Sequence, residues 1–211
     1  WLLRKVETIG RDEVVSPLSK LLHAECPCTR ELARRALENN PSSKAGAALR
    51  DELKVAKDPA WRAAIINALV FRRDGDAVKA IAADLNNADP VVAKAALAAL
   101  GEIGTAPAIK ALNAELAKLK TVERGDLVVD ACLRGAGRAA ALGDRKAAIE
   151  IYKAVLGKPV KDQAPDTGET IPMAALAGLA TVGGADALPE LLNAIMAKEA
   201  AYEPKAARLQ L

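Results

Sequence analysis

Aromatic side chains are nearly missing from this chain. One Phe, two Trp and two Tyr make up 2% of its 211 residues. Proteins that hold single strands of nucleic acid stack successive bases on aromatic rings, so such a platform has little to be built from here. Sandwiches and barrels draw on β-branched and aromatic residues, whereas Ala and Leu supply the apolar half of this chain. Histidine occurs once, at His23, with no evident nucleophile beside it, so a Ser–His or Cys–His unit has no visible basis. Three cysteines, Cys26, Cys28 and Cys132, are too few and of the wrong parity for a disulfide framework. They lean mildly towards a reducing compartment. No run of 18 apolar residues is free of charge, so no segment reads as a membrane span. Neither sign of charge dominates: 30 basic and 27 acidic residues leave +3, which does not argue for nucleic acid.

The chain starts at Trp1, partway through the pattern described next. It reads as a fragment or a processed chain, and a removed leader is compatible with that. The expectation is a soluble protein, with the cytoplasm slightly favoured, export left open and the compartment unassigned.

What is present is a repeated phrase. Asp89-Pro90-Val91-Val92 opens an Ala-rich run to Ala99-Leu100-Gly101, and Gly104 turns the chain into Ala108-Ile109-Lys110-Ala111-Leu112. Read physically, this is two amphipathic helices joined by a glycine-bounded turn. Pro27, Pro59 and Pro90 lie 32 and 31 residues apart, and each is followed ten residues later by a leucine (Leu37, Leu69, Leu100) that follows an alanine (Ala36, Ala68, Ala99). Self-similarity at that period is the mark of a repeat array.

Taken in order, the spacing predicts about six helical pairs. The first is a helix tail over Leu2–Gly10 and a partner over Val14–Leu22, with Pro17 in its first turn, where no N–H bond is lost. The second pair opens at Cys26-Pro27-Cys28. The third opens at Asp58-Pro59, with Trp61, Ala64, Ile65, Ala68 and Leu69 on one face and Asp74-Gly75-Asp76 as its turn. Val78, Ile81 and Leu85 line its second helix. The fifth spans about Leu127 to Leu156, with extra turn residues around Arg138 to Gly143. In the sixth, Ala174-Ala175-Leu176-Ala177-Gly178-Leu179 echoes Ala95–Leu100 at an offset of 79. Residues 157–170, polar with two prolines and two glycines, read as an inserted loop.

The phrase Asp-Pro, an apolar residue, an Ala-rich helix to Ala-Leu-Gly and a turn glycine resembles the HEAT-repeat family. More narrowly, it resembles the short bacterial HEAT-like repeats also found in phycobilin lyases. The third, fourth and sixth pairs carry the likeness best, and it extends over roughly residues 1–200. Arg62 stands where that family usually has an arginine; the second pair keeps Arg30 and the fourth departs with Ala93. The resemblance implies an all-α fold, an α–α superhelix of about six HEAT-like hairpins in a single domain over residues 1–211, itself expected to be part of a longer chain. It also implies that the second helices line the concave side. One hairpin cannot bury its apolar face alone, and stacking neighbours makes a continuous core.

Candidate chemistry is sparse. His23, Cys26 and Cys28 look metal-like, but a structural zinc needs four ligands, and the remaining soft ligand, Cys132, lies about three repeats away. Cys132 on an Ala/Leu face reads as a small buried hydrophobe, and Trp61 as core. The carboxylates sit at helix starts, where capping explains them. No catalytic residue, cofactor or metal is assigned.

One feature is distributed. Aligning the second helices places Arg50, Lys54, Lys79, Lys110, Asn113 and Lys153 between the buried positions, as a ladder along the concave face, continued by apolar Leu192 and Met196. The expected function is a non-enzymatic scaffold that binds another protein there, one with an acidic segment. The alternatives are a nucleic-acid-binding protein like the DNA-alkylation-repair glycosylases and a phycobilin lyase-type chaperone. Few aromatics and modest charge weigh against the first alternative; no residue separates the second from the scaffold.

Overall fold

The computed structural model describes residues 10–122, 126–159, 171–189, 191–193 and 196. Every helix or strand assigned among them is helical. The expected helix tail over Leu2–Gly10 falls almost wholly outside them, as does most of the 157–170 insert and the tail after Met196. The chain clusters into two compact units, Trp1–Ile103 and Gly104–Leu211.

The first unit holds α1 (Asp12–Leu21), α2 (Pro27–Asn39), α3 (Ser43–Val55), α4 (Pro59–Phe71), α5 (Val78–Ala83) and α6 (Pro90–Ile103). α2, α4 and α6 pack in succession as one layer; α1, α3 and α5 form the other. The second unit holds α7 (Ala106–Lys118), α8 (Leu127–Ala141), α9 (Arg145–Leu156) and α10 (Ile171–Gly183). There α8 packs on α10 and α7 on α9. The facing residues are small: Ala33, Ala36, Ala45, Ala68, Ala96, Ala99, Ala131, Ala136 and Ala148 are all buried, which lets helices approach closely while Leu and Ile fill the remaining space.

The helix starts follow the sequence. Pro27, Pro59 and Pro90 open their helices, where a missing N–H costs nothing. Asp58 accepts the Trp61 N–H at 2.7 Å, Asp89 that of Val91 at 2.8 Å and Asp144 that of Ala147 at 3.0 Å, each such cap contributing about 1 kcal/mol.

Four local expectations are corrected. Pro17 is inside α1 rather than in its first turn, because Asp12 and Glu13 supply an acidic first turn that starts the helix earlier. In α4 the buried set is Ala63, Ile65, Ile66, Ala68 and Leu69; Ala64 and Trp61 are half-buried. α8 continues to Ala141, so the fifth turn begins at Leu142. Cys26 and Cys28 are paired as a disulfide, and Cys132 alone is free. Parity across a whole sequence does not exclude a single local bridge.

The third turn shows how the backbone solves a shared problem. Gly104 has φ +61° and Gly143 φ +87°, but in the third pair the left-handed residue is Arg73, at φ +53°. Its N–H bonds to Val70 O at 2.8 Å and that of Asp74 to Leu69 O at 3.0 Å, the helix-ending pattern that usually takes glycine. Gly75, expected to turn the chain, opens a 3-10 turn, Gly75–Ala77, without a positive φ.

Polar side chains tie successive helices together. Arg62 Nη1 donates to the carbonyls of Leu53 (2.6 Å) and Ala56 (3.0 Å) at the end of α3, while its Nε donates to Asp84 at 2.8 Å. Asp84 is buried in a 3-10 turn after α5, Asp84–Asn86, and also accepts from Asn87 at 3.1 Å. Asn87 in turn accepts the N–H of Asp89, the residue before α6, at 3.0 Å. Arg72, at the end of α4, reaches the carbonyls of Leu37, Glu38, Asn40 and Ser42 between α2 and α3. Burial pulls its pKa down from the usual guanidinium value. In the second unit Arg145 donates to Val182 O at the end of α10, and Lys158 to Ala117 O and Leu119 O at the end of α7. The last carbonyls of a helix lack intrahelical donors, and a cation there also meets the negative end of the dipole.

Three outcomes are expected in urea unfolding. Leu100, fully buried in α6, should lose about 2–5 kcal/mol on replacement by Ala; a change below about 0.5 kcal/mol would mean that this position carries little of the packing. Asp84→Ala leaves Arg62 without its carboxylate and should cost roughly 3 kcal/mol, more than the same change at an exposed aspartate. Arg73→Gly should stabilise the fold by about 1 kcal/mol, since glycine bears no steric penalty at positive φ; a loss would show that the Arg73 side chain contributes more than its backbone costs.

Candidate functional site

In each unit the described residues leave one face of a second helix uncovered. On α3 it is formed by Lys44, Ala47, Ala48 and Asp51, and with Ser19, Leu22 and His23 from the end of the α1 hairpin it bounds a cleft of about 440 Å³. On α9 it is formed by Lys146, Ile149, Glu150 and Lys153, and with Arg145, Gly183, Gly184 and Pro189 it bounds a wider cleft of about 890 Å³. Counted from the capping residues Ser42 and Asp144, these are the same four helical positions. The periodicity that buries Leu49 and Leu53 in α3, and Ile151 and Val155 in α9, turns this face outward in both.

The two clefts differ in charge. The cleft on α3 carries Lys44, Asp51 and Glu52 beside His23, and Lys44 lies 3.0 Å from Asp12 in an exposed ion pair. Among the described residues, the cleft on α9 carries Arg145, Lys146 and Lys153 with the carboxylate of Glu150. Past it, Pro189, Leu192 and Met196 are helical and exposed, Leu192 at 55% and Met196 at 65%.

The residues expected to form a ladder are placed unequally. Arg50 points away from the α3 cleft: it donates to Asp74 at 2.5 Å and lies 3.7 Å from Asp76. Lys54 is paired with Asp51 at 2.7 Å. Both charges are thus offset within the fold. Lys79 on α5 and Lys110 on α7 are exposed, in separate units. Asn113 is half-buried, and its Oδ1 is buried without a hydrogen-bond partner. Lys153 lines the α9 cleft. The structure therefore brings Lys153 together with Arg145 and Lys146, which sequence alignment of the repeats did not single out.

A second cluster was not anticipated. Glu52 is buried; one carboxylate oxygen accepts the Trp61 indole N–H at 2.8 Å, and the other lies 3.3 Å from His23 Nε2. The Arg30 guanidinium stands 5.6 Å over the Trp61 ring, so Arg30 does not repeat the carbonyl-binding role of Arg62. Trp61 is thus a polar link between repeats rather than core. The available clue was Glu52 itself, a charged residue three after Leu49 on the buried stripe. Ser19 shares the cleft with His23 and Glu52, but its hydroxyl donates to Val15 O at 2.8 Å, so no bond between nucleophile and base is formed. Among the described residues, no three His, Cys, Asp or Glu side chains are grouped to hold a metal ion, and no helix is long and apolar enough to cross a membrane.

Layered antiparallel hairpins with arginine ties define an all-α helical-repeat protein. Residues 46–124 match the family model for HEAT repeats, and this stretch belongs to the HEAT-repeat family. No curated protein matches the chain as a relative.

Proposed function

We propose that the chain is a non-catalytic scaffold that binds another protein along the open faces of its second helices, the α9 cleft receiving an acidic segment flanked by apolar residues. The observation that carries this reading is the α9 face, where the described residues set Arg145, Lys146 and Lys153 beside Glu150, together with exposed Leu192 and Met196. Charge complementarity sets register and association rate, and apolar anchors supply most of the affinity. Exposed Lys79 and Lys110 extend the same preference to other second helices, whereas Arg50 and Lys54 are withdrawn from it by their own aspartates.

A fluorescent peptide with an Asp/Glu run followed by two leucines is the probe, compared with its Lys counterpart. Binding of the acidic peptide, weakened at least tenfold by Lys146→Glu with Lys153→Glu and falling with added salt, is the expected result; tenfold corresponds to about 1.4 kcal/mol. Equal binding of both peptides, or an unaffected double variant with unchanged helical circular dichroism, would remove the α9 cleft as the working surface. Tighter binding of a single-stranded oligonucleotide than of the acidic peptide would favour the nucleic-acid reading instead.

A further inference from the structure

The Cys26–Cys28 pair carries an inference independent of partner binding. Both residues are exposed, and they are joined as a disulfide across one intervening residue, with Cα atoms 5.4 Å apart. A cross-link closing so short a loop removes little freedom from the unfolded chain, because stabilisation by loop closure grows with loop length. Its contribution to holding the fold is therefore small. Its position is more informative. Cys26 is the capping residue of α2, a 13-residue helix, and its side chain accepts no capping hydrogen bond. Ser42, Asp58 and Asp144 hold the same position before α3, α4 and α9, and each accepts a backbone N–H there. A thiolate released at Cys26 would take up that vacant capping role at the positive end of the helix dipole, beside a first turn whose Thr29 and Arg30 N–H groups bond to Cys26 O at 3.0 and 3.1 Å. Such a placement stabilises a thiolate and makes it a good leaving group. The third cysteine is the opposite case. Cys132 is buried, its thiol pKa pushed up to about 12 chiefly by desolvation.

We propose that Cys26–Cys28 is a thiol–disulfide exchange site whose substrate is a solvent-accessible thiol. The incoming thiolate attacks Cys28 Sγ in line with the disulfide bond. That bond breaks, and its electron pair leaves on Cys26 Sγ, which becomes the capping thiolate. A second thiolate attacks the substrate sulfur of the mixed disulfide, releasing the oxidised substrate and the Cys28 thiolate. Two electrons pass from two thiols to the protein; of the two protons they give up, one goes to Cys28 and one to solvent.

The test compares the folded chain with a synthetic peptide of residues 24–32 carrying the same disulfide, each exposed to reduced glutathione in one arm and to a dithiol peptide in the other. Reaction is stopped with acid, and each cysteine is read by alkylation and mass spectrometry. In at least one arm the folded chain should be reduced about tenfold faster than the peptide, as the helix terminus favours the leaving thiolate, and the faster arm identifies the substrate as monothiol or dithiol. Glutathione trapped in the mixed disulfide should lie on Cys28, and Cys132 should stay unlabelled, marking an intact fold. Cys28→Ser keeps the capping thiol, and its Cys26 should alkylate faster than Cys28 does in Cys26→Ser. Reduction no faster than the peptide in both arms, or glutathione trapped on Cys26, overturns the proposal.

Discussion

A buried ion pair with shared carbonyls holds the first unit in register. Arg62 binds the end of α3 through two carbonyls and the turn after α5 through Asp84, and Asn87 passes the connection on to Asp89 before α6. Every member of this chain of bonds answers a need created by helix ends, whose terminal groups have no partner within the helix. Apolar layers of Ala and Leu can slide past one another at little cost. A guanidinium fixed between two carbonyls and a carboxylate cannot, since displacing it would leave a buried charge unpaired. Arg72 does the same between α2 and α3, and Arg145 and Lys158 tie helix ends in the second unit.

The small-residue core and these ties are complementary. Alanine permits close approach and specifies little; the ties specify register and add little apolar area. Trp61 belongs with the ties: its indole N–H is spent on buried Glu52, and its ring carries Arg30. An aromatic in an otherwise small-residue layer thus serves as a joint between the second and third hairpins.

The same economy shapes the open faces. Cations near a carboxylate of the fold, as Arg50 is near Asp74 of the next hairpin and Lys54 near Asp51 of its own helix, are not offered to a partner, whatever their place in the repeat. On α9 the cleft joins Arg145, Lys146, Glu150 and Lys153 to the end of α10, a meeting that no local run of lysines reveals.

The sequence by itself determined the helical class, the hairpin period, the Pro and Asp helix starts and buried leucines such as Leu37, Leu69 and Leu100, because these follow from spacing along the chain and from backbone chemistry within a few residues. It also named Lys153, Leu192 and Met196 as candidate positions; Leu192 and Met196 are exposed and Lys153 is half-buried. The Arg62–Asp84 tie, the burial of Glu52, the left-handed Arg73, the withdrawal of Arg50 and the grouping of Arg145, Lys146 and Lys153 were decided only by tertiary structure. Each depends on atoms 9 to 37 residues away or on which of several backbone solutions closes a turn. Periodicity says which side of a helix faces inward; only packing says which charges meet there.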